Sequence, residues 1–148
     1  MTHNFLPIKN ENSREDSLEG LKILVVDDDL LNQTVYKKNL ISMDANVTIS
    51  TNGRDALKIL ENADFDIILM DINMPIMGGF EATQKIRQLD GTKSTTPIIA
   101  ISADNHPQIK DKILEAGMND FLPKHCTNQF LMEKIKFHLN NEQKCTDY

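Results

Sequence analysis

No stretch of these 148 residues holds the ~18 consecutive apolar positions needed to cross a bilayer. Residues 1–20 also lack an apolar core ahead of a small-residue cleavage point, so export is not indicated and a cytoplasmic location is the expectation. Positive charge is in short supply: 16 Lys and Arg stand against 22 Asp and Glu, for a net charge of -6. That sign opposes neutralisation of nucleic-acid phosphates, so no direct nucleic-acid contact and no membrane contact are expected. Cysteine is scarce as well. Cys126 and Cys145 form no CxxC pair, and in a chain without a signal peptide they read as reduced thiols rather than a bridge. What is present is an ordinary globular composition, 40% hydrophobic and 26% charged, at a length suited to one domain.

Residues 1–20 are polar and unpatterned and read as a flexible leader or linker; residues 140–148 read as a short C-terminal tail. Between them, residues 21–139 alternate two kinds of segment. Short apolar runs occur at Lys22–Val26, Val47–Ser50, Ile67–Met70, Ile98–Ile101 and, more weakly, Asp120–Leu122, as expected of strands covered on both faces. Segments with helical spacing follow each run: Leu31, Val35, Tyr36, Leu40 and Met43; then Ala56, Leu57, Leu60 and Ala63. The series continues with Ala82, Ile86 and Leu89; Ile109, Ile113 and Ala116; and Leu131, Ile135 and Leu139. Buried strands alternating with amphipathic helices require right-handed parallel crossovers, which predicts an α/β, doubly wound (βα)5 domain.

Ligands of such open sheets bind beyond the carboxyl ends of the strands. Those ends carry Asp27 and Asp28, Asp71, Ser102 and Lys124. Three carboxylates in one crevice repel unless a cation joins them, and oxygen ligands without His or Cys favour a hard ion such as Mg2+. One Mg2+ and the Lys124 ammonium balance the three carboxylates, leaving a site able to receive a phosphoryl group. Each residue has an ordinary alternative. The run Asp27-Asp28-Asp29 could simply cap the following helix, Ser102 could be a loop hydroxyl and Lys124 a solvated lysine. The conjunction of polar groups at four strand ends favours function.

The motifs Ile-Leu-Val-Val-Asp-Asp (23 to 28), Met-Asp-Ile-Asn-Met-Pro-Ile-Met-Gly-Gly (70 to 79), Ile-Ala-Ile-Ser-Ala (99 to 103) and Phe-Leu-Pro-Lys (121 to 124) resemble those of a two-component response-regulator receiver domain. The resemblance runs from Lys22 to about Leu139 and implies a flavodoxin-like sheet of strand order 2-1-3-4-5. It also implies that Asp71 is the phospho-acceptor and that Asp28, Asp71 and the Asn73 carbonyl ligate Mg2+, with Asp27 holding a metal-bound water. Ser102 and Lys124 would contact phosphoryl oxygens, and Ser102 with Phe121 would form the switch. The implied partner is a histidine kinase or a histidine phosphotransfer protein. Asp29-Leu30-Leu31-Asn32-Gln33 resembles receivers of hybrid histidine kinases that work in phosphorelays.

Two positions depart from the family pattern. Gly78 replaces an acidic or Asn residue in a loop, with little chemical consequence expected. The usual Lys-Pro dipeptide is Lys124-His125, with proline one place early at Pro123, so either a costly non-proline cis bond is met or the loop is rebuilt. The latter departure keeps open a degenerate receiver that binds partners without phosphorylation. An aspartate-nucleophile phosphatase would need a second Asp two residues past the nucleophile, where Asn73 stands. Without that general acid a phosphoaspartate persists, giving a switch rather than a turnover enzyme.

Overall fold

The structure, a computed structural model, describes residues 17–104 and 106–146, with side chains through 140. Residues 1–16, within the stretch expected to be a leader or linker, residues 147–148 and the thiol of Cys145 lie outside the described residues. Among the described residues five strands alternate with five helices: β1 (Lys22–Val26), α1 (Leu30–Ser42), β2 (Asn46–Ser50), α2 (Gly53–Asn62), β3 (Ile67–Asp71), α3 (Gly79–Ile86), β4 (Ile98–Ser102), α4 (Pro107–Ala116), β5 (Asp120–Pro123) and α5 (Asn128–Thr146). A 3-10 turn, Gly91–Thr95, joins α3 to β4. All strand pairs are parallel, in the order β2-β1-β3-β4-β5. No described helix is long and apolar enough to cross a membrane.

Strand period two splits the core into layers. Ile23, Val25, Ile67, Leu69, Ile99 and Ile101 meet Leu40 of α1 and Leu131 and Ile135 of α5 on one face. Leu24, Val26, Ile68, Met70, Ile98 and Ala100 meet Ala56 and Leu60 of α2, Ala82 and Ile86 of α3, and Ile113 of α4 on the other. Every residue of β3 and β4 is buried, which is why those runs are apolar without alternation.

Three boundaries and faces differ from the sequence reading. Ordered packing starts before residue 21, because Leu18 is 1% exposed in the α1–α5 layer and its N–H donates to the Met43 carbonyl at 2.7 Å. The final helix continues past Leu139 to Thr146, since nothing in its last turns breaks a helix. In α1 the inward stripe is Gln33, Tyr36, Leu40 and Met43, while Leu31 and Val35 face solvent at 69% and 45% exposed. A buried glutamine in place of an apolar residue hid that stripe from a hydrophobicity count.

One glycine is set by a close approach. A Cβ on Gly79 would lie 2.4 Å from the Asp71 carbonyl oxygen, so α3 can begin against the end of β3 only with glycine there.

Candidate phospho-acceptor site

The carboxyl ends of β1 and β3 lie side by side, with Val26 opposite Met70, so the next residues, Asp27 and Asp71, emerge together. Carboxylate oxygens of Asp27, Asp28 and Asp71 lie within 4.8 Å of one another. Asp27 and Asp71 are each 2% exposed, whereas Asp28 is open to solvent. Capping of α1 falls to Asp29 alone: its carboxylate accepts from the Leu31 and Asn32 N–H groups. That division leaves Asp28 free, while one Asp27 oxygen accepts from the Asp29 N–H at 2.9 Å.

Lys124 reaches across from the end of β5, its Nζ 3.5 Å from Asp71 Oδ2. The loop that carries it is rebuilt rather than cis. No described peptide bond is cis, and His125 takes a left-handed φ of 65°. The Lys124 N–H donates to the Ser102 carbonyl at 3.0 Å, which holds the start of this loop against β4. The premise of the degenerate reading, a lysine turned away by the missing Lys-Pro, is therefore not met.

Ser102 ends β4 almost fully buried, and its hydroxyl accepts from the Asp104 N–H at 2.9 Å. The Asn73 N–H donates to Asp71 Oδ1 at 3.4 Å, which brings the β3–α3 loop against the acidic group. Phe121 is half-buried and lines a groove of about 350 Å³ with Lys110, Leu114, Phe130 and Lys134, on the side of β5 that faces α4. Sequence reasoning missed Gln33. Its side-chain amide donates to the Asp27 carbonyl at 2.6 Å from a buried position, fixing the backbone that carries Asp27 and Asp28. The available signal was a polar residue on the same helical face as Tyr36 and Leu40.

Burial first, and the Asp27 charge second, push the Asp71 carboxyl up to about 6 against the opposing pull of Lys124 and the Asn73 N–H. Asp27 is likewise raised, by burial above all, although the Asp29 N–H and Lys124 work against the shift. Two buried carboxylates with elevated pKa values beside an exposed third form an oxygen-only donor set that a hard divalent cation would relieve. The donor set fits Mg2+.

Residues 23–136 match the pattern of the family described as response regulator receiver domain. The chain belongs to that family. It is 39% identical over 110 residues to hybrid signal transduction histidine kinase G of Dictyostelium discoideum, covering 73% of this chain and 3% of that protein. To two-component response regulator 24 of Arabidopsis thaliana it is 35% identical over 123 residues, 80% of this chain and 86% of that one. The chain spans 3% of the length of that hybrid kinase and 19% of the CAI-1 autoinducer sensor kinase/phosphatase CqsS of Vibrio cholerae.

Among solved structures, this receiver domain is similar to that of sensor histidine kinase PA1611 from Pseudomonas aeruginosa, crystallised with magnesium coordinated in its active-site cleft. The TM-score is 0.76 at 34% identity, over 82% of this chain and 98% of that one. It is also similar to a chain of the Saccharomyces cerevisiae complex between the histidine phosphotransfer protein Ypd1 and the receiver domain of Ssk1. There the TM-score is 0.72 at 27% identity, over 78% and 86% of the two chains.

Proposed function

We propose that this receiver domain is a phosphorelay acceptor in which Asp71 takes a phosphoryl group from a phosphohistidine protein and holds it as a conformational signal. The observation that carries the reading is the Lys124 ammonium 3.5 Å from Asp71 within a cluster of three carboxylates at adjoining strand ends. Asp28 and Asp71, with the Asn73 carbonyl, would hold Mg2+, and Asp27 would orient its water. The ion supplies charge neutralisation for the phosphoryl oxygens when bound.

The remaining work falls to the chain's own groups. An Asp71 oxygen attacks phosphorus; the O–P bond forms, the N–P bond breaks, and the electron pair stays on the donor imidazole nitrogen. Lys124 and the Ser102 hydroxyl meet the equatorial oxygens. A gain of about -2 charge there draws Ser102 inward and opens space for Phe121, which borders the groove between α4 and α5. Asn73 supplies no general acid, so the acyl phosphate persists and the domain acts as a switch rather than a turnover catalyst. Any kinase activity resides outside these residues. A helical phosphotransfer protein would dock beside α1, where Leu30 stands exposed next to the acidic site.

Intact mass after incubation with acetyl phosphate and Mg2+ tests the reading. One phosphoryl adduct is expected on the wild-type chain, none in EDTA and none on Asp71→Asn. An adduct of equal rate on Asp71→Asn would falsify the assignment.

A further inference from the structure

Asp28 stands apart from its neighbours in the acidic cluster. It is exposed, and among the described residues no group hydrogen-bonds its carboxylate. Asp71, by contrast, is held by Lys124 and the Asn73 N–H, and Asp27 accepts from the Asp29 N–H. The aim of the Asp28 carboxylate therefore depends on the backbone beneath it.

That backbone lies past the end of the sheet. The last rungs of β1 set Val26 beside Ser50 and Met70, so the Asp27 carbonyl has already left the ladder. Each peptide unit is planar, so a hydrogen bond to its N–H or its carbonyl restrains the whole plane. Three consecutive units are restrained in this way. The Asp27 N–H donates to the Ser50 carbonyl at 3.0 Å, which holds the first. Gln33 Nε2 donates to the Asp27 carbonyl at 2.6 Å, which holds the second, and the Asp29 N–H donates to Asp27 Oδ1 at 2.9 Å, which holds the third. The second and third units flank the Cα of Asp28. One of those two bonds ends on a carboxylate of the acidic cluster itself; the other comes from Gln33.

Gln33 is a firm support. Its own N–H donates to the Asp29 carbonyl at 3.0 Å in the first turn of α1, and Asp29 caps that turn. Its side chain occupies the inward stripe of the helix and is 9% exposed. An amide there gives up the burial an apolar residue would contribute, and what it gains is the bond to the Asp27 carbonyl.

We infer that Gln33 is a positioning residue for the divalent cation: by holding the Asp27–Asp28 peptide unit it presets the direction of the Asp28 carboxylate and raises the affinity of the site for Mg2+. This rests on the reading of Asp28 as a metal ligand. A ligand already aimed loses less freedom when the ion binds, and groups that orient ligands from outside the metal shell are typically worth about 10–100-fold in affinity. A role confined to satisfying a buried carbonyl would show in stability alone.

The test uses the full chain, with Mg2+ itself as the probe. Gln33→Met keeps the length of the side chain without its N–H, and Gln33→Asn keeps the amide but stops one methylene short of the carbonyl. Titration calorimetry should show both variants binding Mg2+ at least about tenfold more weakly than wild type. In EDTA, hydrogen exchange should show the Asp29 N–H losing protection while Leu69, in the middle of β3, keeps its own. Affinity within about twofold of wild type in Gln33→Met, or in Gln33→Asn should the first variant not fold, overturns the proposal. Weaker Mg2+ binding accompanied by loss of protection at Leu69 overturns it too, because the whole fold has then loosened. A wild-type chain that binds no Mg2+, or binds it equally well after Asp28→Asn, removes the underlying metal-site reading instead, and the proposal with it.

Discussion

Asp71 reaches a pKa of about 6 in surroundings that resist its charge, and the consequence can be weighed in stability. An acid raised in the folded state costs stability while ionised; the cost stands above pH 6 and fades as pH falls from about 6 towards 4. Asp71→Asn should therefore stabilise the metal-free fold at pH 7.5 by about 1–3 kcal/mol, a gain that shrinks on acidification. Urea melts in EDTA at pH 7.5 and 5 would show it; a destabilised mutant at pH 7.5 would contradict the account. At this scale the acidic residues and Lys124 were legible because each follows an apolar strand run, where topology concentrates ligands. Gln33 was not legible. Its importance comes from a bond to a backbone atom six residues away, which composition does not report.

Between elements, Asp120 adds a polar tie to the apolar packing of Leu122 in β5 with Leu131 and Ile135 in α5. Asp120 Oδ2 lies 2.9 Å from Lys134 Nζ and 2.7 Å from His138 Nε2. Burial would raise this acid, but the bonds from His138, Lys134 and the Phe121 N–H outweigh it and hold Asp120 below its ordinary value. A depressed acid contributes stability that is complete above about pH 4 and is lost as pH falls through the lowered folded value. Asp120→Asn should cost about 1–2 kcal/mol at neutral pH, in the range of charge-assisted hydrogen bonds, and should lose part of the acid sensitivity below pH 4. Equal acid midpoints for mutant and wild type would remove Asp120 from the acid transition. The element boundaries themselves were read closely for the three buried strands. The inward face of α1 was not, because Leu31 and Val35 satisfy helical spacing as well as Tyr36 and Leu40 do, and only the sheet decides which set it covers.

For the molecule as a whole, the (βα)5 order followed from alternating runs and crossover handedness, whereas the start of packing at Leu18 did not, since a single leucine in a polar stretch has no period. Ligand linkage gives a global prediction. A divalent cation that binds only the folded chain, at about 100 times its dissociation constant, adds roughly 2.7 kcal/mol. Scanning calorimetry with saturating Mg2+ should raise the wild-type Tm by several degrees, with the rise abolished in Asp28→Asn. An equal rise in both would place the ion elsewhere.

The sheet has two open rims. β5 is four residues long and ends in Pro123, which has no N–H to offer, and β2 sets exposed Asn46 and exposed Thr48 along the opposite margin. A sheet margin that is short, proline-terminated or polar is a poor template for a stray strand. The same shortness that limits the outer strands to a few rungs thus guards the molecule against fibril growth, even where its interior runs of isoleucine and leucine would join such a fibril if unfolded.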